Sequence, residues 1–157
     1  MFRLKPEADD WFKGIYNRGA LKTKWDIYYL CLMMGLAGSK ASSATGAVDL
    51  VHYFIEDYKK SSRLIVTLFL STHLKKLGIE LNDRLEAKRV LDEYLDPSNS
   101  TALNSDGFRT MNEYAQGGFL LLAENIGNRP DDQVTFLLRY YDLLNKIASE
   151  NPAWATV

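Results

Sequence analysis

The 157-residue chain is 46% hydrophobic and 25% charged, with 19 Lys and Arg against 20 Asp and Glu and a formal net charge of −1. Those proportions describe a one-domain globular chain with enough apolar residues for a core. They exclude a disordered segment, a collagen-like repeat, a disulfide-stapled miniprotein and an overall polycation. The near-balance conceals an asymmetry: residues 1–40 carry seven Lys and Arg against four acids, a net of +3, which leaves −4 for the rest.

Phe2-Arg3-Leu4-Lys5 alternates apolar and basic residues, the period of a short strand. Pro6 suits the first turn of a helix, and Glu7, Asp9 and Asp10 suit its positive end. Ala8, Trp11, Phe12 and Ile15 then mark one face, and Asn17-Arg18-Gly19 closes it. Thr23 is the N-cap of a second amphipathic helix that carries Trp25, Tyr28, Tyr29, Leu32, Met33 and Leu36 to Gly38. The small polar run 39–46 (SKASSATG) reads as a flexible linker. Val48, Val51, His52, Ile55 and Tyr58 predict a third amphipathic helix. A fourth starts at Ser61 or Ser62 and stops at Gly78, a left-handed C′ residue. A fifth spans about Asn82–Leu95, with Leu85, Val90, Leu91 and Leu95 inward and Pro97 ending it. After the polar stretch 98–105, helix six runs from about Ser105 to Ile126. Pro130-Asp131-Asp132 opens the seventh, with Val134, Leu137, Leu138, Tyr141, Leu144 and Ile147 at helical spacing. The expectation is an all-α chain: a single helical domain of six to seven helices with a short N-terminal strand. Its parts are a strand–helix–helix unit (1–38), the linker (39–46), a helical body (47–150) and a tail (151–157) in which Trp154 is a docking group.

Chemistry-bearing residues are sparse. Cys31 is the one cysteine, so no intramolecular disulfide is possible, and its run of Tyr, Leu and Met neighbours predicts a small buried hydrophobe. His52 and Glu56 share the i, i+4 spacing of metal and acid–base pairs, but two ligands are too few and His73 falls on another helix. There is no HExxH, CxxC, P-loop or GxSxG. The charge alternation from Asp83 to Glu93 reads as a solvated helix face. Glu113, Glu124, Asp131 and Asp132 are the carboxylates available for pairing, and a helix dipole alone explains the last two. The expectation is therefore a non-enzyme with no metal and no cofactor. With no signal-length apolar stretch and no membrane-length run, it is also expected to be cytoplasmic.

Gly117-Gly118 interrupts an otherwise helical run, and each glycine costs about 1 kcal/mol relative to alanine there. Close approach of a neighbouring helix is the favoured reading, and a ligand needing backbone access is the sharper alternative. The adjacent aromatics Tyr28/Tyr29, Tyr53/Phe54 and Tyr140/Tyr141 diverge by about 100° on a helix. One member of each pair can pack inward while the other serves as an interface anchor. Tyr28, Tyr29, Tyr140 and Tyr141 are thus candidate partner-binding residues.

The segment RLKPEADDWFKGIYNRGALKTKWDIYYLCLMMGLA resembles ribbon-helix-helix repressor-type domains and, more loosely, the DndE family of small helical DNA phosphorothioation accessory proteins. The resemblance covers the first quarter of the chain. It implies DNA contact by Arg3 and Lys5 on a strand paired across a dimer, with Lys22, Thr23 and Lys24 meeting phosphate at a helix start. The turn is longer, the strand shorter and the 25–29 region bulkier than in such repressors. Taken together, the chain reads as an accessory or adaptor subunit of a bacterial DNA-processing or phage-defence assembly, with protein partners and a homo-oligomer compatible with it. The alternative is a helical adaptor that binds protein alone, such as an accessory of a multi-subunit ATPase complex.

Overall fold

The computed structural model describes residues 1–152, so Trp154 and the end of the tail lie outside the described residues. The elements are β1 (Arg3–Leu4), α1 (Pro6–Phe12), α2 (Lys24–Ala37), β2 (Val48–Asp49), α3 (Glu56–Lys59), α4 (Ser62–Lys76), α5 (Arg84–Tyr94), α6 (Ser105–Ile126) and α7 (Gln133–Glu150). The fold is mostly helical, one domain with a small two-stranded N-terminal sheet.

Two crossing helices, α2 and α6, form its spine. Ten of the fourteen residues of α2 are buried, among them Trp25, Tyr28, Cys31, Leu32 and Met34. A helix that is apolar on all sides belongs in the centre of a fold, so α2 is a core rod and not the amphipathic helix expected of it. Its start is secured by a capping box: the Thr23 hydroxyl accepts from the Asp26 N–H at 3.2 Å, and the Asp26 carboxylate accepts from the Thr23 N–H at 2.7 Å. Glycines set how closely α6 approaches. A Cβ on Gly118 would collide with the Cys31 carbonyl, one on Gly35 with the Tyr114 carbonyl, and one on Gly117 with the Lys40 carbonyl.

Around this crossing, the Phe2 ring meets Trp25, Tyr28, Phe54 and Phe108 edge-on at 5.0–5.4 Å. Edge-to-face aromatic pairs are favourable beyond the area they bury, so Phe2, the residue before β1, anchors the N-terminal strand. A smaller cluster of Leu74, Ala87, Val90 and Tyr94 joins α4 to α5.

Two further expectations are corrected. The third helix is not continuous: Val48–Asp49 is a strand and only Glu56–Lys59 is helical. Val48 and Asp49 pair antiparallel with Leu4 and Arg3, and backbone bonds to β1 outweigh the helical periodicity. The run 39–46 packs on α6: the Ser42 N–H donates to the Glu113 carbonyl at 2.9 Å, and Lys40 lies against Gly117. Leu85, expected inward, is 84% exposed, and Ala87, Val90 and Tyr94 form the buried face of α5. Gly78 has φ +74°, the left-handed turn its position predicts.

Candidate functional site

β1 does not offer a free ribbon. One edge bonds β2, and on the other the Arg3 N–H donates to Asn112 Oδ1 at 3.0 Å. A strand committed on both edges inside its own chain has none left to pair across a dimer. The α2 start is equally occupied. Asp26 accepts from the N–H groups of Lys22 (2.9 Å) and Thr23 and from the Tyr58 hydroxyl (2.5 Å). A phosphate arriving there would meet a carboxylate already in place. Lys24 Nζ pairs with Asp9 at 3.0 Å and sits 4.3 Å from the centre of the Tyr16 ring. Lys22 is exposed and Lys5 half-buried.

Arg3 instead borders a groove of about 650 Å3 at the start of α6. Arg109 projects from the second turn of α6 and Ser105 from its first, Ser43 and Thr45 come from the 39–46 segment, His52 from the loop after β2, and Asn99 and Asn104 from the stretch before α6. Phe108 and Glu113 complete the wall, and Glu113 is the one carboxylate in it. Asn112 holds the arrangement together: its Oδ1 also accepts from the Tyr28 hydroxyl at 2.8 Å, and its Nδ2 donates to the Met1 carbonyl at 3.0 Å. Buried amides are kept where all their bonds are made, and Asn112 thereby fixes β1 against α6. Arg3 Nε pairs with Asp49 at 2.6 Å and Arg109 Nη2 with Asp106 at 2.9 Å, with all four side chains about half exposed.

Sequence reasoning missed most of this groove. Ser43 and Thr45 lay in a run that resembles any linker, and nothing local distinguishes Asn112 or Arg109 from other residues of an amphipathic helix. His52 was visible, but its i, i+4 relation to Glu56 crosses a loop, and Glu56 pairs with Lys59 at 2.5 Å. His73 bridges two tyrosines: Nδ1 lies 3.0 Å from the Tyr114 hydroxyl and Nε2 3.0 Å from the Tyr94 hydroxyl. Burial and the nearby Lys76 hold its pKa below the ordinary histidine value. Burial pushes the Cys31 thiol far up, so no thiolate forms there. Asp132 caps α7, accepting the Thr135 N–H at 2.9 Å, and Glu124 faces Lys40 at 3.7 Å. Among the described residues, no three His, Cys, Asp or Glu side chains gather as a metal site.

The tyrosine pairs split as helical geometry requires. Tyr28 is fully buried and Tyr140 donates to the Leu30 carbonyl at 2.8 Å, so neither is available as an anchor. Tyr29 is half-buried against the Tyr58 ring, while Tyr141 is 64% exposed. Tyr141 shares an exposed stripe of α7 with Val134 and Leu138. Phe136 and Tyr140 take the buried face. Gly117 and Gly118 are filled by backbone from Lys40 and Cys31, which leaves no room for a ligand between them.

No family model, curated protein or solved structure matched the chain. No helix among the described residues is long and apolar enough to cross a membrane. The groove brings two guanidinium groups, hydroxyls and amides together with the His52 imidazole and the Glu113 carboxylate. Guanidinium groups pair with anionic oxygens.

Proposed function

We propose that the chain is a non-enzymatic accessory subunit that contacts the phosphate backbone of DNA through the groove at the start of α6. The observation that carries this reading is the meeting of Arg3 and Arg109, from elements far apart in sequence, on one groove otherwise lined largely by hydroxyls and amides. A guanidinium fork matches two phosphate oxygens. The present partners, Asp49 and Asp106, are exposed, and exposed ion pairs contribute only about 0–1 kcal/mol, so phosphate can replace them at little cost. With a net charge of −1, the contact is weak alone and gains its affinity inside an assembly. The assembly we infer is a bacterial DNA-processing or defence complex, on the resemblance of residues 3–37 to DNA-modification accessory proteins.

Fluorescence anisotropy with a labelled duplex at low salt tests it. Arg3→Ala/Arg109→Ala lowers the slope of log affinity against log salt by about two, whereas Lys22→Ala/Lys24→Ala leaves it unchanged. No binding at low salt, or equal loss in both variants, contradicts the reading. A purely protein-binding adaptor is the second reading, favoured by the exposed Val134, Leu138 and Tyr141 on α7.

A further inference from the structure

Val134, Leu138 and Tyr141 stand at i, i+4 and i+7 on α7, and each is at least 64% exposed. Helical geometry aligns these positions on one face. A single exposed leucine is ordinary, but three large apolar groups in line on one helix mark a surface that meets another molecule.

The charges beside the stripe indicate what that molecule is. Asp132, Arg139, Asp142 and Lys146 follow one flank of the helix and are all exposed. Arg139 and Asp142 are three residues apart, and Asp142 and Lys146 four. At these same spacings on α5, Arg89 pairs with Glu86 at 2.5 Å and Lys88 with Asp92 at 2.6 Å. Among the described residues, Arg139, Asp142 and Lys146 form no ion pair, which leaves them available to another chain.

In chain order the flank runs acid, base, acid, base, and in reverse it runs base, acid, base, acid. It is therefore complementary to its own copy laid antiparallel. In that register Arg139 lies level with Asp142 of the second copy, Lys146 with its Asp132 and Leu138 with its Tyr141. A twofold axis makes each of these contacts twice. Glu150, at the helix end, passes beyond the start of the opposing α7.

We propose that two copies of the chain pair through α7, antiparallel about a twofold axis near the level of Tyr140. Leu138 of each copy packs on Tyr141 of the other, and Arg139 of each pairs with Asp142 of the other. The apolar stripe supplies the affinity, and the charges fix direction and register. One helix face from each copy is a small interface, so the dimer is weak and reversible and dilute protein is monomeric.

Sedimentation equilibrium of the full chain, from micromolar to millimolar protein, tests this. The unmodified chain is expected to show a concentration-dependent monomer–dimer equilibrium that Leu138→Asp abolishes. Arg139→Asp and Asp142→Arg each place like charges opposite one another twice, and each is expected to weaken the dimer at least about tenfold. An equimolar mixture of these two variants restores opposite charges at both contacts and is expected to recover the dimer. That recovery requires both variants to be folded, so a folding defect cannot imitate it. A monomeric unmodified chain, whatever else covers the stripe, overturns the proposal, as does a dimer indifferent to Leu138→Asp or a mixture no tighter than its separate components.

Discussion

Gly118 of α6 rests directly on the carbonyl of Cys31 in α2, and no side chain intervenes. The obstacle to a Cβ here is backbone on a largely buried helix, which cannot swing aside as a flexible side chain would. Gly118→Ala is expected to lower stability by about 3 kcal/mol or more, at the upper end of overpacking effects, read as a fall in the urea midpoint. A loss below about 1 kcal/mol would show that the crossing has room to relax.

The helix pattern, the capping Thr23, the Gly78 stop and the glycine-mediated crossing were legible because each rests on local backbone physics. What escaped depends on partners distant in sequence. Val48 has a helical neighbour pattern, but its N–H and C=O are claimed by Leu4, so the segment is a strand. Val134 and Leu138 have core chemistry, yet Phe136 and Tyr140 fill the space beneath α7. Lys24 looked like a phosphate contact until Asp9 and Tyr16 were brought beside it. Arg109 acquires meaning only once Asn112 holds Arg3 nearby.

The two faces of α7 should respond oppositely to truncation. Phe136 is 2% exposed, so Phe136→Ala is expected to cost about 3–5 kcal/mol. Leu138 is 64% exposed, and Leu138→Ser should change stability by no more than about 0.5 kcal/mol. Denaturant unfolding of the two variants separates them, and comparable losses would refute the assigned orientation of the helix.

His73 gives stability a pH dependence of defined sign. Its pKa in the folded chain lies below the unfolded value of about 6.5, because burial and Lys76 disfavour the imidazolium. The unfolded chain therefore binds more protons in that window, and stability rises with pH. The contribution is fully present above the unfolded value and is lost as pH falls through it toward the folded one. In paired urea titrations from pH 7.5 to 5, wild type is expected to lose more stability than His73→Gln. Parallel curves, or a steeper fall in the variant, would contradict this.

On the proposed function, DNA phosphate enters the groove bounded by Arg3 and Arg109 and not the α2 start. Backbone amide shifts on titration of the 15N-labelled chain with a short duplex at low salt report it most directly. Saturable changes are expected at Arg3, Ser43, Thr45, His52 and Arg109, and they vanish as salt is raised. Changes confined to residues 22–24, or no salt-sensitive change in the groove, would contradict it.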